Sequence, residues 1–240
     1  MQVKICGMCS VADAVYAARC GAEYVGVILA RSARGAPLTT AAEIVAAVPA
    51  STAPVLVFRD ESLRAIRDAL AATGAGWVQL HGREDADFVA ALASGNPPTD
   101  VSSGPARAAR TSGRLRIVKA WELGSPDAEL ALHEFVRATT ARRVRLDAVL
   151  LDLPKATPPE PGACPAAPPE VVVDFAALSR RWPAEFPPLW CSGGLTAETL
   201  AATIASGRFQ VVDVARGVES APGRKDAGKV RRFIAAARLL

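Results

Sequence analysis

Three features of the sequence predict an α/β protein of the (βα)8 TIM-barrel class, with residues 1–240 forming one domain. Short apolar segments alternate with amphipathic segments eight times along the chain. The apolar segments show no regular alternation of polar and apolar residues, which is typical of parallel strands buried on both faces. The length of 240 residues is typical of one such barrel. An open doubly wound sheet is the alternative, but no glycine-rich fingerprint follows the first strand.

Each predicted strand is an apolar segment that ends at a turn signal. The strands are predicted at Val3–Cys6, Tyr24–Leu29, Val55–Phe58, Trp77–Leu80, Leu115–Lys119, Ala148–Leu151, Leu189–Cys191 and Val211–Val214. The helices between them are predicted at Ser10–Cys20, Thr40–Ala47, Ser62–Ala72, Glu84–Leu92, Glu129–Thr139, Phe175–Arg181, Ala197–Ser206 and Asp226–Leu240. Capping boxes are expected at the start of the first two helices, formed by Ser10 with Asp13 and by Thr40 with Glu43.

Two segments interrupt this alternation. Residues 94–113 are rich in Gly, Ser, Pro and Arg, and they predict a surface excursion before strand five. Residues 153–170 contain seven prolines and follow strand six. Because the loops that lead from strands to helices lie on the active face of a barrel, we expect a long loop beside the active site.

The composition excludes several classes of function. The net charge is only +4 and the basic residues are scattered, which argues against a nucleic-acid partner but is compatible with a small anionic substrate. No apolar run reaches 18 residues and the first residues do not form a signal peptide, so no membrane partner is expected. Five scattered cysteines predict reduced thiols in a cytoplasmic protein. We expect a monomer or a homodimer.

Residues that carry chemistry in a barrel stand at the C-terminal ends of its strands. The first predicted strand ends at Cys6, and Asp152 follows the sixth. A thiol and a carboxyl group that face each other across a pocket form a general acid–base pair. The helix that begins near Ser10 is expected to lower the pKa of the Cys6 thiol. The alternatives are a merely apolar buried Cys6 and a capping or loop role for Asp152.

Two further strand ends predict where an anionic substrate is held. Ser192, Gly193 and Gly194 lie between a strand and a helix, where backbone N–H groups bind phosphate, and Gly217 offers the same after strand eight. Arg34 is a candidate for bidentate binding of a carboxylate. The alternatives are that Ser192, Gly193 and Gly194 form a plain turn and that Arg34 is a solvated side chain. The other candidate substrate-binding residues at strand ends are Gln79, His81, Asp213 and Arg216.

A second interpretation of the first turn is a redox pair, because Cys6 and Cys9 form a C-x-x-C motif at a helix start. A disulfide between them is left open by the sequence. A zinc site is not expected, because His81 and His133 do not have the spacing of metal ligands.

Taken together, these motifs resemble those of the phosphoribosylanthranilate isomerase family of tryptophan biosynthesis. The shared motifs occur in order over most of the chain: Lys4–Gly7, Asp13–Ala14, Gly21–Ala22, Gly26, Ser32–Arg34, Gln79–Gly82, Lys119–Ala120, Leu150–Asp152, Ser192–Leu195, Val212–Val214, Gly217–Glu219 and Pro222–Asp226. The resemblance implies an Amadori rearrangement, in which an aminoaldose becomes an aminoketose, without a metal or a cofactor. It also implies a small phosphorylated substrate similar to N-(5-phosphoribosyl)anthranilate.

The resemblance further implies roles for individual residues. Asp152 would be the general acid that opens the sugar ring, and Cys6 the general base that takes the proton from C2. Arg34 would hold the anthranilate carboxylate, and the loops after strands seven and eight would hold the phosphate. The chain departs from the family in the proline-rich segment 153–170 and in Ala215-Arg216-Gly217, where the family has Ser-Ser-Gly. These departures leave open a related isomerase that acts on a modified aryl amine, or a non-catalytic barrel that binds a phosphorylated ligand or a protein.

Overall fold

The computed structural model describes residues 1–95, 113–125, 127–152, 175–204 and 207–240. Eight parallel strands form a closed barrel in chain order, and the eighth strand pairs with the first. They are β1 (Gln2–Cys6), β2 (Tyr24–Ile28), β3 (Ala53–Phe58), β4 (Trp77–Leu80), β5 (Arg116–Glu122), β6 (Ala148–Asp152), β7 (Leu189–Ser192) and β8 (Val211–Val214). The predicted TIM-barrel class is confirmed.

Helices follow the strands and surround the barrel. They are α1 (Val11–Arg19), α2 (Leu38–Ala47), α3 (Leu63–Thr73), α4 (Ala86–Ser94), α5 (Ala128–Ala141), α6 (Phe175–Arg181), α7 (Leu200–Ile204) and α8 (Ala227–Arg238). A 3₁₀ turn at Arg216–Val218 and a small hairpin of β9 (Glu219–Ala221) and β10 (Arg224–Lys225) connect β8 to α8. No helix of the described residues is long and apolar enough to cross a membrane.

The predicted caps have different outcomes. Ser10 caps α1 as predicted, because its Oγ accepts a hydrogen bond from the backbone N–H of Asp13 at 3.2 Å. The reciprocal half of the predicted box is not formed among the described residues, since Asp13 Oδ2 accepts from the backbone N–H of Lys225 at 3.1 Å. The predicted capping box at Thr40 is wrong, since α2 already begins at Leu38. Pro37 precedes it with φ −60° and ψ 152°, so its fixed φ sets the entry into the helix and a capping side chain is not used.

Strand β5 runs three residues further than predicted. Its last residues continue the parallel pairing with β6, and Glu122 lies opposite Asp152 in the register. Lys119 therefore does not stand at the strand end. Its Nζ donates to the carbonyl of Gly82 at 2.6 Å and lies 3.1 Å from Glu84 Oε2, outside the barrel wall.

Alternate residues of each strand point into the barrel. The floor of its interior is an apolar cluster, which consists of Val118, Ala120, Ala148, Leu150, Trp190 and Val211 packed with Tyr24 and Trp77. Two residues further along β5, β6 and β7, the same inward face carries Glu122, Asp152 and Ser192. The polar mouth of the barrel is thus set by the two-residue period of the strands.

Two expected segments fall wholly or mostly outside the described residues. They are the proline-rich loop at 153–170 and the surface excursion at 94–113, of which only the ends are described. The predicted end of the seventh helix at Ser206 also lies outside them.

Candidate active site

Cys6 ends β1 and lies almost fully buried at the mouth of the barrel. Its register partner on β2 is Gly26. A Cβ atom at Gly26 would lie 2.6 Å from Cys6 Sγ and 3.1 Å from Lys4 Nζ. The glycine therefore leaves the space that the thiol occupies, and the same space brings the Lys4 ammonium close to the sulfur.

The pKa of the Cys6 thiol is raised, because burial outweighs the opposing effect of the Lys4 ammonium. The expected lowering of this pKa by the neighbouring helix is therefore wrong. Helix α1 begins only at Val11, five residues after the thiol, and the sulfur is removed from water. The free protein carries Cys6 mainly as the neutral thiol at neutral pH.

A buried ion pair lies directly below Cys6. Lys4 Nζ is 3.0 Å from Asp213 Oδ1, and the two residues are register partners on β1 and β8. Burial would lower the pKa of Lys4, but the charge of Asp213 and the hydrogen bond to it act in the opposite direction, and the pKa is raised overall, so the side chain stays an ammonium. The Lys4 ammonium of this pair favours the thiolate of Cys6, whereas the Asp213 carboxylate disfavours it. Asp213, a candidate substrate-binding residue, lies below the mouth in this pair.

Asp152 ends β6 and is held through both carboxylate oxygens. Ser192 Oγ donates to Oδ1 at 2.8 Å, and His81 Nε2 lies 3.3 Å from Oδ2. Ser192 is the register partner of Asp152 on β7, which explains the short contact. The residue is only 4 % exposed, so its carboxyl group faces the mouth in one fixed orientation.

His81 is oriented in turn by Gln79. The amide Nε2 of Gln79 lies 3.0 Å from His81 Nδ1. When the amide donates this hydrogen bond, Nδ1 is the acceptor and Nε2 carries the proton that points at Asp152. Gln79, His81 and Ser192, all predicted to bind substrate, thus make contacts that orient the carboxyl group of Asp152.

Arg34 folds over the turn after β1 and is already paired with a carboxylate of the chain. Its Nε and Nη2 donate to Glu219 at 2.8–3.0 Å. Glu219 also pairs with Lys225, whose Nζ donates to the carbonyl of Cys6 at 2.6 Å. Burial would raise the pKa of Glu219, but Arg34 and Lys225 hold it below its usual range. Within the described residues Arg34 Nη1 makes no hydrogen bond, so this edge remains for a ligand.

A cationic cavity lies beside the mouth, between the loops after β7 and β8. Its volume is about 380 Å³, and its lining residues are Gly194, Thr196, Ala197, Glu198, Arg216, Gly217, Lys229 and Arg232. Gly193 and Gly194 have φ of 105° and 66°, which glycine adopts without strain. Gly217 packs so closely on the carbonyl of Leu195 that no Cβ atom would fit. With three cationic side chains and one carboxylate, the cavity suits an anion.

Comparison with known proteins now identifies the family. The family model described as N-(5'-phosphoribosyl)anthranilate isomerase matches residues 3–104 and 137–236. The chain belongs to this family. It is 35 % identical over 237 residues to the N-(5'-phosphoribosyl)anthranilate isomerase of Hyphomonas neptunium, with 99 % of this chain and 97 % of the relative covered.

Solved structures agree with this assignment. The phosphoribosyl anthranilate isomerase of Thermotoga maritima matches with a TM-score of 0.76 and 26 % identity, and each chain is fully covered. A second match, at TM-score 0.74 and 25 % identity over the whole of both chains, is an isomerase in complex with reduced 1-(o-carboxyphenylamino)-1-deoxyribulose 5-phosphate. That relative therefore binds a phosphorylated small molecule, and the family is one of isomerases.

Sequence reasoning about this isomerase family member missed several residues that shape the site. Lys4, Glu219 and Lys225 stand in the shared motifs, but no role was predicted for them. A lysine within the apolar strand Val3-Lys4-Ile5 is the signal that was available, because a buried charge requires a partner. Glu219 gives a weaker signal, since its partner Arg34 is 185 residues away.

The thiol pair of the C-x-x-C motif has two different environments. Cys6 and Cys9 are both free thiols in the structure. Cys9 Sγ lies 3.4 Å from the carbonyl oxygen of Arg34, whereas Cys6 Sγ lies over Gly26. This arrangement gives the redox interpretation no support.

The fork of Arg34 leads to a testable prediction. We expect Arg34→Lys to raise KM about tenfold while kcat changes less than about threefold, because an ammonium cannot bind Glu219 at two atoms and also present a third donor to substrate. Steady-state kinetics will measure this. Arg31→Lys is the matched control, since Arg31 is exposed in the same loop. Equal effects of both substitutions would contradict the assigned contact.

Proposed function

We propose that this protein catalyses the Amadori rearrangement of N-(5-phosphoribosyl)anthranilate to 1-(2-carboxyphenylamino)-1-deoxyribulose 5-phosphate. One observation carries the proposal. The buried thiol of Cys6 ends β1, the oriented carboxyl group of Asp152 ends β6, and both side chains lie at the mouth of the same barrel. Membership of the isomerase family supports it. The reaction needs one acid and one base on different sides of the sugar, which strands β1 and β6 provide.

The acid acts first in the proposed mechanism. Asp152 gives a proton to the ring oxygen, the bond between C1 and this oxygen breaks, and the nitrogen lone pair forms a carbon–nitrogen double bond. For this step Asp152 carries its own proton on Oδ2, the oxygen that lies 3.3 Å from His81 Nε2. The hydrogen bond from Ser192 fixes the other oxygen, so the acid is oriented before substrate arrives.

The base acts second. The Cys6 thiolate takes the proton from C2, the electrons of the C2–H bond form a C1–C2 double bond, and the electrons of the C1–N double bond return to nitrogen, which gives an enol with a neutral amine. The enol then tautomerises to the ketone of the product. Lys4 supports this step, because its buried ammonium lowers the energy of the thiolate. The general acid and base contributions of this kind are each about 10²–10⁴-fold in rate.

Both ends of the substrate have a proposed partner. Arg34 Nη1 would meet the anthranilate carboxylate, with Glu219 keeping the guanidinium in place. The phosphate would bind in the cationic cavity, between the backbone at Gly194 and Gly217 and the side chain of Arg216. In this chain a charge at Arg216 stands where the family has a serine hydroxyl.

The cavity gives a prediction for the phosphate contact. We expect Arg216→Ala to raise KM about tenfold and to weaken inhibition by inorganic phosphate by a similar factor, with little change in kcat, because the lost ion pair acts on the bound substrate and transition state alike. Arg231→Ala is the control, since Arg231 is exposed on α8 and does not line the cavity. An unchanged phosphate inhibition constant in Arg216→Ala would place the phosphate elsewhere.

The proposed function is tested by following the fluorescence of phosphoribosylanthranilate that is generated in the cuvette from anthranilate. We expect a rapid decay with the intact protein and a stoichiometric amount of aminoketose product. Absence of decay with folded protein would overturn the proposal. Repeating the assay with ring-substituted anthranilates would then show whether another aryl amine is the substrate.

A further inference from the structure

Three potential metal ligands meet at the mouth of the barrel. His81, Glu122 and Asp152 each offer one ligand atom, and the three atoms lie within 4.8 Å of one another. Among the described residues, it is the one group of three or more potential metal ligands whose ligand atoms lie this close together. Its donor set, one imidazole and two carboxylates, is one that Zn²⁺ binds in proteins.

The barrel explains why the three donors converge. They stand at the ends of three consecutive strands, β4, β5 and β6, on the inward-facing positions. Glu122 and Asp152 are direct register partners, and Leu80 next to His81 pairs with Lys119 of β5. The neighbouring cation Lys119 is directed outward to Glu84, so its charge is compensated away from the mouth.

The distances fit a small divalent ion. His81 Nε2 and Asp152 Oδ2 are 3.3 Å apart, which is close to the separation of two ligands with bonds of about 2.1 Å in a tetrahedral site. Glu122 is exposed, so its side chain can rotate through the remaining distance. Two carboxylates and a neutral imidazole also balance the charge of a dication.

The residues around the three donors would support metal binding as well. Ser192 fixes Asp152 through Oδ1, so that Oδ2 is the oxygen on the side of His81. A histidine that binds through Nε2 carries its proton on Nδ1 and needs an acceptor there. Gln79 Oε1 is buried and has no hydrogen-bond partner among the described residues. A half-turn of the Gln79 amide would present this oxygen to Nδ1 of His81.

We propose that His81, Glu122 and Asp152 form an inhibitory site for a divalent transition metal such as Zn²⁺. The ion occupies the carboxylate oxygen from which Asp152 delivers its proton, so the metal-bound enzyme is inactive. The inhibition rests on the proposed isomerase function, whereas the binding does not. Mg²⁺ binds imidazole poorly and is expected to bind this site far more weakly.

The test compares the intact protein with Glu122→Gln. This substitution keeps size and removes one metal ligand, and Glu122 takes no part in the proposed acid–base steps. We expect Zn²⁺ to bind the wild type at one equivalent by calorimetry and to inhibit it with a matching constant that a chelator reverses. In Glu122→Gln we expect the dissociation constant and the inhibition constant of Zn²⁺ each to rise at least about tenfold. The activity of this variant without metal should stay within about twofold of the wild-type activity.

Zinc that binds elsewhere on the protein would behave differently in these measurements. Equal zinc binding and inhibition in wild type and Glu122→Gln would overturn the proposal and would indicate the thiols instead. No stoichiometric binding to the wild type would overturn it as well. Should the protein lack isomerase activity, the calorimetric difference between the two proteins still decides the site, because that measurement contains no substrate.

Discussion

Replacing Asp152 with asparagine is expected to lower kcat/KM about 10³-fold, mostly through kcat. Asparagine keeps the size of the side chain, and its Oδ1 still accepts the hydrogen bond from Ser192, but an amide NH2 group replaces Oδ2 and cannot deliver a proton to the ring oxygen. The loss lies within the range of general acid catalysis. The fluorescence decay of phosphoribosylanthranilate measures the rate, and thermal unfolding shows whether the fold is retained.

Ser192→Ala is the matched variant for this effect. It removes the hydrogen bond to Oδ1 but keeps the acid, so we expect a loss of only about tenfold, in line with a positioning contact. Asp152→Asn with activity within tenfold of the wild type would show that another group protonates the ring oxygen.

The second large effect concerns the base. Cys6→Ser is expected to lower kcat about 10³-fold, because a hydroxyl group is far less acidic than a thiol and provides almost no anion at neutral pH. In the wild type, burial raises the pKa of Cys6 above its ordinary value of 9.0. Little thiolate is therefore present at neutral pH, and the ultraviolet thiolate absorbance that Cys6→Ser removes should appear only in the alkaline range.

Cys191 provides the control for this pH dependence. It is a buried thiol on β7, packed between barrel and helices, and burial raises its pKa to about 12. Cys191→Ala should therefore keep the pH profile of the wild type. A thiolate absorbance that Cys6→Ser removes already at neutral pH, or one that Cys191→Ala removes instead, would contradict the raised pKa assigned to Cys6.

Much of the barrel can be predicted from the sequence because each strand is a short apolar segment with clear ends. The strand that was predicted too short, β5, ends in Trp121-Glu122, which has no strand-like pattern and is held by pairing with β6. The capping box at Thr40 looked equally clear locally, but Pro37 starts the helix earlier. Boundaries thus depend on neighbours that a local pattern does not contain.

The candidate site can likewise be predicted from the sequence only in part. Cys6 and Asp152 follow from their place at strand ends, whereas the contacts of His81 and Ser192 with Asp152 require the register of the barrel. The direction of the Cys6 pKa shift was missed because burial depends on the whole fold. The metal-ligand group was missed for a similar reason, since its three members are 30 to 71 residues apart in the sequence.

Because β1 pairs with β8, the charged residues beside Cys6 come together only late in folding. Lys4 and Asp213 are 209 residues apart and meet only where the barrel closes. Contacts of such sequence separation form slowly, because closing so long a loop costs conformational entropy before the contact stabilises the chain. Nascent helices and neighbouring strand pairs can therefore exist while the thiol of Cys6 still lacks its charged neighbours. Enzyme activity consequently depends on closure of the whole barrel. A substitution that disrupts the pairing of β1 with β8 abolishes activity even when the substrate contacts are intact.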